Sequence, residues 1–186
     1  MTDTAERLTA QDELGLLVQC PPISPDEIAG LLQAVDHIAK GEKVNLTTLA
    51  KSIAHDDDRL LALLKALGML GLAELSGGDV NLTLVGLSYA RAPARERRQI
   101  FAEQLASCMP WVKLVQSRVA ADPGQRVQLA EIATELHDRY PAAFIEQGLH
   151  QVIDWARYAG LFFYDDRSGD ISLQRIDNST AASARH

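Results

Sequence analysis

Apolar residues recur at helical spacing through most of this chain, and the breaks between the runs carry turn and capping residues. Ser24-Pro25-Asp26-Glu27 predicts a helix start, with Ser24 as cap, Pro25 in the first turn and Glu27 closing a capping box. Ile28, Leu31, Leu32, Val35 and Ile38 then share one face, and Gly41 ends the helix. A short helix follows from about Thr47 to Ile53, with Leu46, Leu49, Ala50 and Ile53 inward. Asp56 starts a third helix carrying Leu60, Leu61, Leu64, Leu67 and Met69. Ala73 to Leu75 and Val80 to Leu82 read as two strands joined by the turn Ser76-Gly77-Gly78-Asp79. Thr83 caps a helical turn through Tyr89, and Pro93 to Cys108 is a charged helix with Ile100, Phe101 and Leu105 on one side. Pro110 interrupts it.

The second half repeats the order. Val112, Val115 and Val119 are spaced as a helix, Asp122-Pro123-Gly124 turns the chain, and Leu129 to His137 forms a short helix. Pro141 opens a long helix with Ile145, Leu149, Val152, Ile153 and Ala156 inward. Leu161 to Tyr164 and Ile171 to Leu173 form a hairpin across Asp166-Arg167-Ser168-Gly169. Landmarks pair across the halves: Gly41 to Leu46 with Gly124 to Leu129, Leu49-Ala50 with Ile132-Ala133, Gly71-Leu72 with Gly160-Leu161, and Val80-Asn81-Leu82 with Ile171-Ser172-Leu173. Their order is kept while the spacing widens, as a duplication would leave it. Three helices and a two-stranded wing describe a winged helix-turn-helix unit. The expected fold is therefore mainly α with small β-hairpins, in two tandem winged-helix-like units related by internal duplication. The expected boundaries are an extension over 1–23, a first unit over 24–90, a linking helix over 91–110, a second unit over 111–175 and a disordered tail over 176–186.

Bulk composition adds little to this and excludes several classes. The 186 residues are 47% hydrophobic and 23% charged, ordinary for a globular protein. No basic start followed by an apolar block marks a secretory signal, and no run reaches the length of a membrane span. Cys20 and Cys108 form no metal-ligand pattern, and two lone thiols fit a reducing cytoplasm. Cys108, beside Met109-Pro110, reads as a small buried residue. The net charge of −7 places the burden on a local basic patch if nucleic acid is to be bound.

The candidate chemistry is thin. Leu75-Ser76-Gly77-Gly78-Asp79 nearly spells the signature loop of ABC-type ATPases, but a strand follows it and no G-x-x-x-x-G-K-[ST] loop exists, so it reads as a hairpin turn. His55-Asp56-Asp57-Asp58 offers metal-ligand types, yet it sits where a helix begins and acidic residues suit the macrodipole. His150 and Asp154 share a helix face, and a metal or acid–base site there would need a third partner such as His137 or Glu131. A small metal-dependent enzyme or sensor on His55, His137 or His150 is the third-ranked reading. No catalytic, cofactor or metal residue is expected.

Two surfaces remain as candidates for binding. Arg91, Arg95, Arg97 and Arg98, broken by Glu96, form the one basic cluster, and its default reading is a solvated face. Aromatics gather near the end of the chain, and Asp154, Trp155, Arg157, Tyr158 and Phe163 are the candidate partner surface. In a DNA reader the third helix of each unit would enter the groove. The first begins with three aspartates and the second offers Glu146 and Asp154, so nucleic acid is disfavoured as a partner.

Val152-Ile153-Asp154-Trp155-Ala156-Arg157-Tyr158-Ala159-Gly160-Leu161-Phe162-Phe163-Tyr164-Asp165-Asp166, followed by Ser168 to Leu173, resembles the closing motif of the C-terminal AAA-associated domain. Asp79-Val80-Asn81-Leu82-Thr83 with Gly86, and Arg95-Glu96-Arg97-Arg98 before Ile100-Phe101, also match that family's pattern. Ala156 and Gly160 depart from it, standing where it has Gly and Glu. The family often follows the ATP-binding subunit of nitrate/sulfonate/bicarbonate-type ABC importers. The resemblance implies a non-catalytic regulatory or protein-interaction module, cytoplasmic or peripheral to the inner membrane through a transporter complex. Its partner would be an ABC transporter ATP-binding subunit or a second copy of itself. The chain begins with Met1 and carries no ATPase module, so it is expected to be a free-standing relative or a fragment of a longer protein. A winged-helix transcriptional regulator is the alternative.

Overall fold

The computed structural model describes residues 22–39, 42–53 and 56–173. Cys20, Gly41, His55, most of the N-terminal extension and the C-terminal tail lie outside the described residues.

Capping chemistry sets the helix starts. Helix α1 (Pro25–Ala39) opens on the expected box: Glu27 N–H donates to Ser24 Oγ at 3.2 Å, and Ser24 N–H donates to Glu27 Oε2 at 2.9 Å. Strand β1 (Val44–Asn45) leads directly into α2 (Leu46–Ser52), where Asn45 accepts from Thr47 N–H. Helix α3 (Asp57–Met69) is capped by Asp56, whose carboxylate accepts from Arg59 N–H at 2.7 Å. Strands β2 (Ala73–Ser76) and β3 (Asp79–Leu82) turn through Gly77 and Gly78, with φ of 61° and 83°. Thr83 caps α4 (Leu84–Arg91), and α5 (Ala94–Cys108) follows. Pro110 ends α5 by taking the first position of a new helix, α6 (Pro110–Ala121). Then come β4 (Arg126–Gln128), α7 (Leu129–His137), α8 (Ala142–Ala159), β5 (Phe163–Asp165) and β6 (Asp170–Ser172).

The architecture is mainly helical with small antiparallel sheets. Each sheet has three strands, in the orders β1-β3-β2 and β4-β6-β5. The sequence predicted only the hairpins. β1 and β4 are two and three residues long, too short to display a period of two, and they exist because their backbones pair with the inner hairpin strand. The second hairpin also begins later than expected, at Phe163 rather than Leu161, because the chain is still closing off α8 there.

The halves agree in detail. Leu46 N–H donates to Gly78 O and Leu129 N–H donates to Gly169 O, both at 2.9 Å. The Asn45 amide donates to the Asp79 carboxylate, and the Gln128 amide donates to the Asp170 carboxylate. Val44 pairs with Val80, and Val127 with Ile171. Both third helices close on a left-handed glycine, with Leu72 N–H reaching Leu67 O and Leu161 N–H reaching Ala156 O.

One continuous apolar core runs through both halves. On α3 the buried face is Leu60, Leu63, Leu64 and Leu67. Leu61, expected inward, is exposed because it stands about 100° around the helix from Leu60. Cys108, expected buried, is exposed at the end of α5, where Leu105 and Met109 take the interior positions. Helix α4 lies against α1, and the approach of its first turn to the end of α3 is set by Gly86. A Cβ on Gly86 would lie 1.8 Å from the Leu72 carbonyl oxygen. The halves meet where α5 crosses α8, with Phe101 at the centre. Its ring lies 6.3 Å from Tyr89, 5.8 Å from Trp155 and 5.6 Å from Tyr158, the last two edge-on.

Candidate interaction surface

Residues 154, 155, 157 and 158 occupy the last turns of α8 and, at about 100° per residue, spread over roughly 160° of its circumference with residue 155 at one edge. Trp155 is the one turned fully inward, at 0% exposure. Its indole N–H donates to the backbone carbonyl of Ile23 at 2.7 Å. Gln151, one turn earlier and also buried, completes the clamp. Its amide donates to the same carbonyl at 3.0 Å, and its side-chain oxygen accepts from Ile23 N–H at 2.7 Å. Trp155 is therefore corrected from a surface residue to a core one: burial needs a partner for the indole N–H, and Ile23 supplies it. The partner of Gln151 was not legible in the sequence, since it lies 128 positions away. A glutamine on the apolar side of a helix, four before a tryptophan, was the available sign.

The rest of that set stays accessible. Asp154 and Arg157 are exposed, Tyr158 is half-buried, and Phe163 on the outer strand β5 is 43% exposed. Arg157 Nη1 lies 3.9 Å from Asp166 Oδ2, which joins the helix loosely to the hairpin turn. The Arg98 guanidinium sits 5.3 Å above the Tyr158 ring. Tyr158 is thus where the aromatic set and the arginine set meet.

The four arginines do not form one patch. Arg91 is held by Asp36 of α1 through two hydrogen bonds of 3.0 and 2.8 Å, which keep the Asp36 carboxyl below its ordinary range. Arg98 lies on Tyr158. Arg97 is half-buried, and its Nε is out of water with no hydrogen-bond partner among the described residues. Arg95 is exposed beside Glu96, Gln99 and Glu103. Arg95 and Arg98 stand three apart on one side of α5, Arg97 is turned away from Arg95, and ion pairing occupies Arg91. Near them the Tyr89 phenol is fully buried, and burial pushes it well above its ordinary value.

At the start of α3, Asp56, Asp57 and Asp58 all face solvent. The capping role expected for this run is the one Asp56 performs. His150 does not pair with Asp154: its Nδ1 lies 2.7 Å from the Glu146 carbonyl. His150 and His137 instead border a shallow groove between α7, α8 and the second hairpin. Among the described residues no three metal-ligating side chains come close enough to hold an ion. No helix there is long and apolar enough to cross a membrane.

Residues 47–165, from α2 to the end of β5, match the profile of the C-terminal AAA-associated domain. The chain belongs to that family. No curated protein and no solved structure matches it. The AAA-associated domain is an accessory domain linked to AAA proteins. Ala156 is fully buried under the end of α8, and Gly160 has φ of 75°, where a glutamate would be strained.

Proposed function

We propose that this AAA-associated domain is a non-catalytic regulatory module that binds the ATP-binding subunit of a nitrate/sulfonate/bicarbonate-class ABC importer, in cis or in trans. We read it as two winged-helix-like units, 24–90 and 111–175, joined by 91–110 and derived from one ancestral unit. The shared strand order, the paired Leu46/Leu129 and Asn45/Gln128 contacts and the matching glycine caps support that descent. Such a module would work in the cytoplasm, reaching the inner membrane through the transporter.

The observation that carries the reading is the family match across both halves. The exposed aspartates at the start of α3 support a protein rather than a phosphate backbone as partner, because they would repel phosphates at the place a DNA reader needs donors. The dispersal of the arginines weighs the same way. The surface offered is the strip of Asp154, Arg157, Tyr158 and Phe163, an aromatic and charged mixture that suits an interface.

The test is capture of the importer's ATP-binding subunit by the tagged chain, with ATPase rate measured with and without it. We expect one-to-one capture and a changed rate, both reduced by Arg157→Glu. Recovery of the chain only as a homodimer, or only on DNA at low salt, would overturn the assignment.

A further inference from the structure

The groove of the second half is a separate feature from the strip just described. Leu129, Ala130 and Ala133 of α7 form one wall, Ile145 and Leu149 of α8 the other, around about 460 Å³. That volume suits a small organic molecule. The groove arises from a difference between the halves. Aligned on Gly71 and Gly160, α8 begins a turn earlier than α3, with 18 residues against 13, and that turn supplies Ala142 and Ile145.

The polar groups at the mouth set the ligand's chemistry. They are Gln128, His137, Glu146, His150 and Tyr164, with no lysine or arginine in the lining. A carbonyl only accepts, so the His150 Nδ1 facing Glu146 O carries the proton, and Nε2 of the neutral ring keeps its lone pair. The Gln128 amide donates one N–H to Asp170, and its oxygen is free to accept. Glu146 adds an exposed carboxylate. His137 and Tyr164 can donate as well as accept. Acceptors and negative charge therefore dominate the mouth of an apolar groove.

We propose that this groove binds a small organic cation, an amine or ammonium carried on a hydrocarbon body. The body replaces water along α7 and α8, and the N–H groups meet Glu146 and His150. The probe is n-octylamine, compared with n-octanoate, titrated into the full chain while amide NMR shifts are followed. Saturable shifts are expected at Ala130, Ala133, Leu149 and Gly169. The amine should bind about tenfold more tightly than the carboxylate, the worth of one charge-assisted hydrogen bond. Glu146→Gln should bring the two within about twofold, again the loss of that one bond. Because Glu146 is exposed, that variant keeps the fold. Ala133→Trp, checked for folding by circular dichroism, should abolish both responses. Shifts located elsewhere, octanoate binding as well as octylamine, or a preference untouched by Glu146→Gln would each overturn the site. The assay contains no partner protein, so its failure and the failure of transporter capture are distinguishable.

Discussion

Two glycines show how differently one residue type can matter here. Gly86 lies so close to Leu72 that Gly86→Ala drives a methyl into a backbone carbonyl, and α4 must back away from the end of α3. The expected loss is about 3 kcal/mol in urea denaturation, at the upper end of overpacking costs. Gly30, on the exposed side of α1 with open space beside it, should behave oppositely: Gly30→Ala should gain about 0.5–1 kcal/mol by helix propensity. A neutral Gly86→Ala would mean that α4 is not seated as described. At the same scale, Gln151→Leu keeps the volume but strips Ile23 N–H of its acceptor. It should cost about 2 kcal/mol, the penalty of an unsatisfied buried donor. Neither effect was legible in the chain alone. Gly86 stood out only as part of a pattern, and the partner of Gln151 not at all, because each acts on a residue far along the sequence.

Elements were the most legible level. Ser24, Asp56 and Thr83 each cap the helix they were expected to cap, since a cap and its target lie within three residues of each other. β1 and β4, by contrast, are created by pairing partners and have no local signature. Two ion pairs tie α1 to the helices packed against it. Arg59 of α3 donates to Glu27 of α1 at 2.6 Å and to the Pro22 carbonyl at 2.9 Å, while Arg91 ties the end of α4 to Asp36. Burial alone would raise the Glu27 carboxyl, but Arg59 and Ser24 outweigh it and hold it below its ordinary 4.5; Arg91 holds Asp36 below 3.8. Folded-state values below the unfolded ones mean that the unfolded chain binds more protons in that window. Their stabilisation is therefore full above the unfolded pKa values and is lost as pH falls through the folded ones. The urea midpoint should drop between about pH 5 and pH 3, and the double variant Glu27→Gln, Asp36→Asn should show a shallower drop. Equal slopes in the two proteins would place the acid response elsewhere.

At the scale of the molecule, the two halves share one core through the crossing of α5 and α8. Phe101 has its ring against Tyr89, Trp155 and Tyr158, so its contacts span the junction rather than either half. A shared core predicts a single thermal transition; Phe101→Ala should cost about 4 kcal/mol, as for other buried aromatics, and split that transition into two. Calorimetry that keeps one transition would show the halves coupled by other means. The sequence carried the helices and the hairpins, because turns and periodicity are local. It misplaced Trp155, because only the crossing of α5 and α8 decides which side of α8 is covered.

The clamp on Ile23 has a consequence for biosynthesis. Ile23, just before α1, is gripped by Gln151 and Trp155, near the end of the last described helix. A nascent chain can build α1 to α4 while still on the ribosome, yet the peptide groups that lead into α1 stay open until α8 has been made. The segment that leads into α1 is thus locked only once α8 is complete, and a chain truncated before α8 leaves the Ile23 peptide groups open.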